Sequence, residues 1–110
     1  MEITLYGLKT CDTCKKVLKS LVSAGHEVTY VDVRADGVPT AKLAEFQKIF
    51  GDALINTRST TWRGLDEVQR ARPALELLTE NPTLMKRPVI EKTEGSYLGW
   101  TKDVQAVFSA

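Results

Sequence analysis

The chain has 110 residues, 43% of them hydrophobic, and fifteen basic against fourteen acidic side chains leave a formal net charge of +1. A chain of this size and hydrophobicity builds one domain with its own core and needs no disulfide or metal to hold it. The near-zero charge argues against a nucleic acid or a membrane surface as partner, no apolar run approaches the ~20 residues of a membrane span, and Met1 to Thr4 lacks the basic start of a signal peptide.

Residues Ile3 to Tyr6 read as a first strand. After a short loop comes an amphipathic helix with Cys14, Val17, Leu18, Leu21 and Val22 on its apolar face and Lys15, Lys16 and Lys19 on the other. Gly25 stops it, and Val28 to Val33 reads as a second strand. Strand, helix and strand at this spacing predict a βαβ unit with parallel strands. Asp36-Gly37-Val38-Pro39 is a turn signal, followed by a helix over Thr40 to Phe50 with Leu43, Phe46 and Phe50 turned inward. Beyond Gly51-Asp52 the pattern loosens: Asn56 to Gly64 reads as a loop, Leu65 to Gln69 as a short helix, and Pro73 as the start of another carrying Leu75, Leu77 and Leu78. Asn81-Pro82 breaks that helix. Lys86 to Glu91 and Ser96 to Trp100 read as two strands across a turn at Gly95, an antiparallel hairpin, and Thr101 caps a last helix that buries Val104, Val107 and Phe108.

The chemistry concentrates in Cys11-Asp12-Thr13-Cys14, at the junction of the first strand and helix. There a Cys-x-x-Cys pair reads as redox chemistry. Cys11 sits where free backbone N–H groups and the positive end of the helix dipole favour thiolate over thiol. Lys9, Lys15 and Lys16 add positive charge, partly opposed by Asp12. Cys14, one turn on, is placed to attack a mixed disulfide at Cys11 and release its partner. Cys11 is therefore assigned as nucleophile and Cys14 as resolving thiol, with simple core packing the competing role for Cys14. Zinc is set aside: a structural site is tetrahedral, and His26 is the one histidine beside these two cysteines. His26 follows the helix and reads as a solvated surface residue. Two cysteines without an export signal point to a reducing cytoplasm.

The order of elements, βαβ, a helical insertion over about residues 37–85, then ββα, together with Cys-x-x-Cys at the first βα turn, predicts a four-stranded mixed sheet with helices on both faces. That is the architecture of the thioredoxin superfamily, in one domain spanning 1–110.

Four strings carry a more specific likeness: Tyr6 to Lys16, Asp32 to Gly37, Leu54 to Arg63, and Glu80 to Val89. Taken in order they resemble the ArsC family, which holds glutaredoxin-dependent arsenate reductases, Spx transcriptional regulators and the smaller YffB-type proteins. The Thr60-Thr61-Trp62-Arg63 string and the short chain are most similar to the last. The resemblance implies that Cys11 matches the cysteine that attacks arsenate, and that Arg58 and Arg87 match two of three arginines that stabilise the oxyanion. The third has no counterpart at Leu98-Gly99-Trp100-Thr101. Cys14 is a further departure, because the arsenate enzymes resolve with external glutathione. Pro88 matches the cis-proline that thioredoxin-superfamily proteins place beside the active cysteine.

These readings converge on a thiol-disulfide oxidoreductase with glutathione as co-substrate and no tightly bound cofactor. Catalysis falls to Cys11 and Cys14, and substrate or anion binding to Arg58, Arg87, Pro88 and Lys9; Trp100 is a candidate wall of the pocket. Two alternatives stand beside it, arsenate reduction linked to glutaredoxin or glutathione, and an Spx-like redox sensor that binds RNA polymerase. The expected partners are glutathione or a glutaredoxin-type thiol protein and an oxyanion or disulfide substrate, and a monomer is expected.

Overall fold

A computed structural model describes residues 2–108. Strand β1 covers Glu2–Gly7, helix α1 Asp12–Ser23, strand β2 Glu27–Asp32 and helix α2 Thr40–Phe50. A 3₁₀ turn at Gly51–Leu54 leads to the short helices α3 (Thr60–Arg63), α4 (Glu67–Arg70) and α5 (Ala74–Glu80) and a second 3₁₀ turn, Pro82–Leu84. Strands β3 (Val89–Lys92) and β4 (Gly95–Leu98) and helix α6 (Lys102–Phe108) complete the chain. The described residues divide into two units, one of residues 2–36 and 87–108, the other of residues 37–86.

The first unit holds a four-stranded mixed sheet in the order β2-β1-β3-β4. β1 runs parallel to β2, from Glu2 opposite Glu27 to Gly7 opposite Asp32, and antiparallel to β3, which pairs antiparallel with β4. Alternation along β1 sends Ile3 and Leu5 to one face, where they pack with Ile90, with Val17 and Leu21 of α1, and with Val104 and Phe108 of α6. Phe108 is the hub of this layer. Its ring stacks on Trp100 at 6.4 Å and meets the edges of Tyr97 at 5.4 Å and His26 at 6.0 Å.

His26 is accordingly not a solvated surface residue: its Nε2 also lies 2.9 Å from the Phe108 carbonyl oxygen. Trp100 is likewise committed to the α1–α6 layer, beside Ser20, Leu21 and Ala24, and does not wall the cysteine site. Val22 and Val107, expected inside, are 56% and 39% exposed, because each lies at the margin of a helix face already filled by its neighbours. The strand expected from Lys86 begins at Val89, since Lys86 gives its N–H to Leu54 and Pro88 has none to give. Gly95 belongs to β4 rather than to the turn, opposite Lys92.

The second unit is helical, with Leu43 and Phe46 of α2, Leu77 and Leu78 of α5, and Leu54, Leu84 and Met85 buried. The stretch read as a loop contains α3, whose first turn is capped by the Ser59 hydroxyl accepting from the Trp62 N–H. Helix α4 begins with a capping box in which Asp66 and Gln69 satisfy each other's backbone N–H groups.

Candidate functional site

Cys11 is the N-cap of α1, in extended backbone, with its side chain half-buried. Burial alone pushes its thiol pKa up. The N–H of Cys14, the Cys14 thiol, the positive charge of Arg87 and the N–H of Thr13 outweigh burial and hold Cys11 below the ordinary cysteine value. The cation that acts here is Arg87. Lys15 and Lys16 project from the outer face of α1 and are exposed.

Cys14 is fully buried. Burial, opposed by the N–H of Leu8 and reinforced by its hydrogen bond to Cys11 and the charge on Cys11, pushes it up to about 11. The two sulfurs are therefore unlike: Cys11 ionises more readily than an ordinary cysteine, and Cys14, hydrogen-bonded to it, less readily.

The loop between β1 and α1 is held by its backbone. Leu8 accepts from the Cys11 N–H at 3.1 Å, and the Tyr30 hydroxyl donates to the same carbonyl. The buried carboxylate of Asp32 closes the loop from β2: Oδ2 accepts from the Lys9 N–H at 2.9 Å, and Oδ1 from the N–H groups of Arg34 and Ala35 at 2.9 and 2.8 Å. Those bonds, led by the one from Lys9, hold the Asp32 carboxyl below the usual carboxylate range. A carboxyl depressed in the folded state stabilises the fold above its unfolded pKa and loses that contribution as pH falls through its folded value. Asp32→Asn is therefore expected to lower stability by about 1–3 kcal/mol at neutral pH. In urea melts the gap from wild type narrows on acidification; a gap independent of pH would contradict this role.

Of the expected site residues, Cys11, Cys14 and Arg87 come together, and Arg87 precedes Pro88 through a cis peptide bond, with Pro88 buried. Lys9 is exposed and contributes its backbone N–H to Asp32. Arg58 lies in the second unit, exposed, its N–H donating to Asn56 Oδ1 at 3.0 Å. Gly7, Leu8, Tyr30 and Asp32 were not anticipated at the site. Gly7, Leu8 and Asp32 lie in the strings that carry the ArsC resemblance; Tyr30 lies outside them.

A mixed sheet of order β2-β1-β3-β4, with paired cysteines at the first strand–helix junction and a cis-proline before the third strand, is a thioredoxin-like architecture. The ArsC family model matches residues 6–108, and the chain belongs to the ArsC family. An uncharacterized protein of Haemophilus influenzae is 44% identical over 113 residues, covering 97% of this chain and 99% of its own. The structure of a YffB protein superposes with a TM-score of 0.90 at 33% identity, covering 98% of this chain and 99% of that one. That of an arsenate reductase (ArsC) related protein from Brucella melitensis does so with a TM-score of 0.75 at 33% identity, covering 100% and 97%.

Proposed function

We propose that the protein is a thiol-disulfide oxidoreductase that draws on glutathione. The observation that carries this reading is the unequal pair at the start of α1: Cys11 at the N-cap, held below the ordinary cysteine value under the charge of Arg87, and Cys14 fully buried and held above it. Cys11 attacks one sulfur of a disulfide, a new S–S bond forms, and the other sulfur leaves with the bonding pair and takes a proton from water. Cys14 loses its proton and attacks Cys11, giving the Cys11–Cys14 disulfide and releasing the second partner as a thiol. Two glutathione thiols then reduce that disulfide and leave as oxidised glutathione. Arg87 holds the thiolate, Pro88 presents backbone to the incoming chain, and Lys9 offers its charge to a carboxylate of glutathione.

The charge of Arg87 on Cys11 also favours a second reading, arsenate reduction, in which the thiolate attacks arsenic and Arg87 holds the oxyanion. Steady-state turnover with reduced glutathione, coupled to NADPH through glutathione reductase, separates the two. A small mixed disulfide is offered in one series and arsenate, with and without glutaredoxin, in the other. Disulfide turnover that vanishes in Cys11→Ser is expected. Arsenate turnover alone would transfer the assignment to the second reading. Silence in both, together with capture of RNA polymerase α subunit, would make the protein a regulator.

A further inference from the structure

The Cys14 sulfur occupies a seat made by three residues outside its own helix. Gly7 ends β1 directly beneath it. A Cβ placed on Gly7 would stand 2.7 Å from Cys14 Sγ, 3.0 Å from Cys14 Cβ and 3.2 Å from the Tyr30 hydroxyl oxygen. Gly7 is not among the glycines with positive φ, so it is the sulfur and the phenol, not the backbone, that exclude a side chain here. The Leu8 N–H points at Cys14, and the Leu8 carbonyl takes the Tyr30 O–H. The Tyr30 oxygen and the Cys14 sulfur thus face the same space above Gly7, and Cys14 acts on the Tyr30 phenol. One phenolic proton thus stands between two acceptors, the Leu8 carbonyl and Cys14.

We propose that Tyr30 is a positioning residue for the resolving step, turning its O–H from the Leu8 carbonyl to the Cys14 sulfur when that sulfur becomes the attacking thiolate. This rests on Cys14 being the resolving thiol. While Cys11 is a thiolate, Cys14 gives its S–H to Cys11 and has no need of Tyr30. Once Cys11 carries a partner in a mixed disulfide, that acceptor and its negative charge are gone. Cys14 then surrenders its proton to water, and the thiolate left behind is met by the Leu8 N–H and the Tyr30 O–H. The Cys14 electron pair forms the Cys11–Cys14 bond, and the pair of the broken bond departs with the partner sulfur. Tyr30 keeps its proton throughout: burial, with the charges of Cys14, Cys11 and Asp32, pushes its pKa well above the ordinary tyrosine value. The ionisable groups acting on this cluster are Cys11 and Arg87 at Cys14, and Cys14, Cys11 and Asp32 at Tyr30.

Tyr30→Phe removes the donor and keeps the ring. In single turnover, Cys11 is loaded with 5-thio-2-nitrobenzoate from its aromatic disulfide, and the release of the second chromophore is followed in wild type, Tyr30→Phe and Cys14→Ser across pH. Loading at Cys11 is expected at the wild-type rate, with release slowed about tenfold in Tyr30→Phe and its pH profile moved alkaline, the loss of one hydrogen bond to a charged sulfur. A parallel arm places Tyr30→Phe in a Cys11→Ser background and follows ionisation of Cys14 through its ¹³Cβ shift, where an upward move is expected. Release in wild type no faster than in Cys14→Ser would overturn the resolving role of Cys14 and this inference with it. Release dependent on Cys14 but indifferent to Tyr30→Phe, in rate and in pH profile, would overturn the inference alone. An unmoved Cys14 ionisation would overturn it as well.

Discussion

Cys11→Ser is expected to abolish turnover of small mixed disulfides, by about a thousandfold or more, while leaving the fold intact. The hydroxyl is not ionised at neutral pH, and no helix start or nearby guanidinium brings it close. Cys11 is half-buried at the N-cap of α1, in extended backbone, and Ser is among the residues that suit such a position. Unfolding midpoints should therefore match wild type within about 1 kcal/mol while activity disappears. Cys14→Ser separates the two thiols, since it retains attack at Cys11 and loses only internal resolution. Residual disulfide turnover in Cys11→Ser above a few per cent of wild type would show that the chemistry lies elsewhere.

Phe108→Ala carries the largest expected cost in stability, about 3–5 kcal/mol and roughly 12 °C or more in melting temperature. Phe108 is 2% exposed and meets Trp100, Tyr97 and His26 with its ring, besides the buried residues of β1, α1 and β3. Its removal leaves a gap between α1, α6 and the sheet that these large rings cannot close by small shifts. Calorimetry of the variant reads the loss directly. A shift below about 1 kcal/mol would mean that α6 is dispensable to the core of this unit.

Phe108 also shows where the reading of the sequence stops. Helical spacing placed it on the buried face of α6, yet the same spacing offered Val107, and nothing local says which of two adjacent apolar residues meets the sheet. His26 lies 82 residues away and has no pattern that announces its bond to the Phe108 carbonyl. The strands of the first unit emerged clearly, because alternation in β1 and the apolar β3 match their burial and a Cys-x-x-Cys punctuates the first turn. The helical stretch from Thr60 to Arg70 was harder. Its helices span four residues each, too short for periodicity, and are marked by the caps Ser59 and Asp66 rather than by an apolar stripe.

At the site the same division holds. Cys11 and Cys14 declare themselves by spacing, and Arg87 by its place before Pro88. Gly7, Leu8 and Tyr30 act through a Cβ that is absent, a peptide group and a phenol one strand away, and such features acquire meaning only when β1 and β2 pair. The lysines illustrate the converse error. They are near Cys11 in sequence, but Arg87, 76 positions on, supplies the charge.

Unequal ionisation of the two thiols underlies the proposed chemistry. The direct measurement is alkylation of the reduced protein by iodoacetamide across pH, with the modified cysteine assigned by mass spectrometry. Cys11 is expected to react alone, with a midpoint below the ~8.5 of an ordinary cysteine, and Arg87→Gln is expected to move that midpoint upward. Cys14 should stay unmodified until far more alkaline pH. Modification of Cys14 first, or of Cys11 only at the pH of an ordinary thiol, would contradict the account.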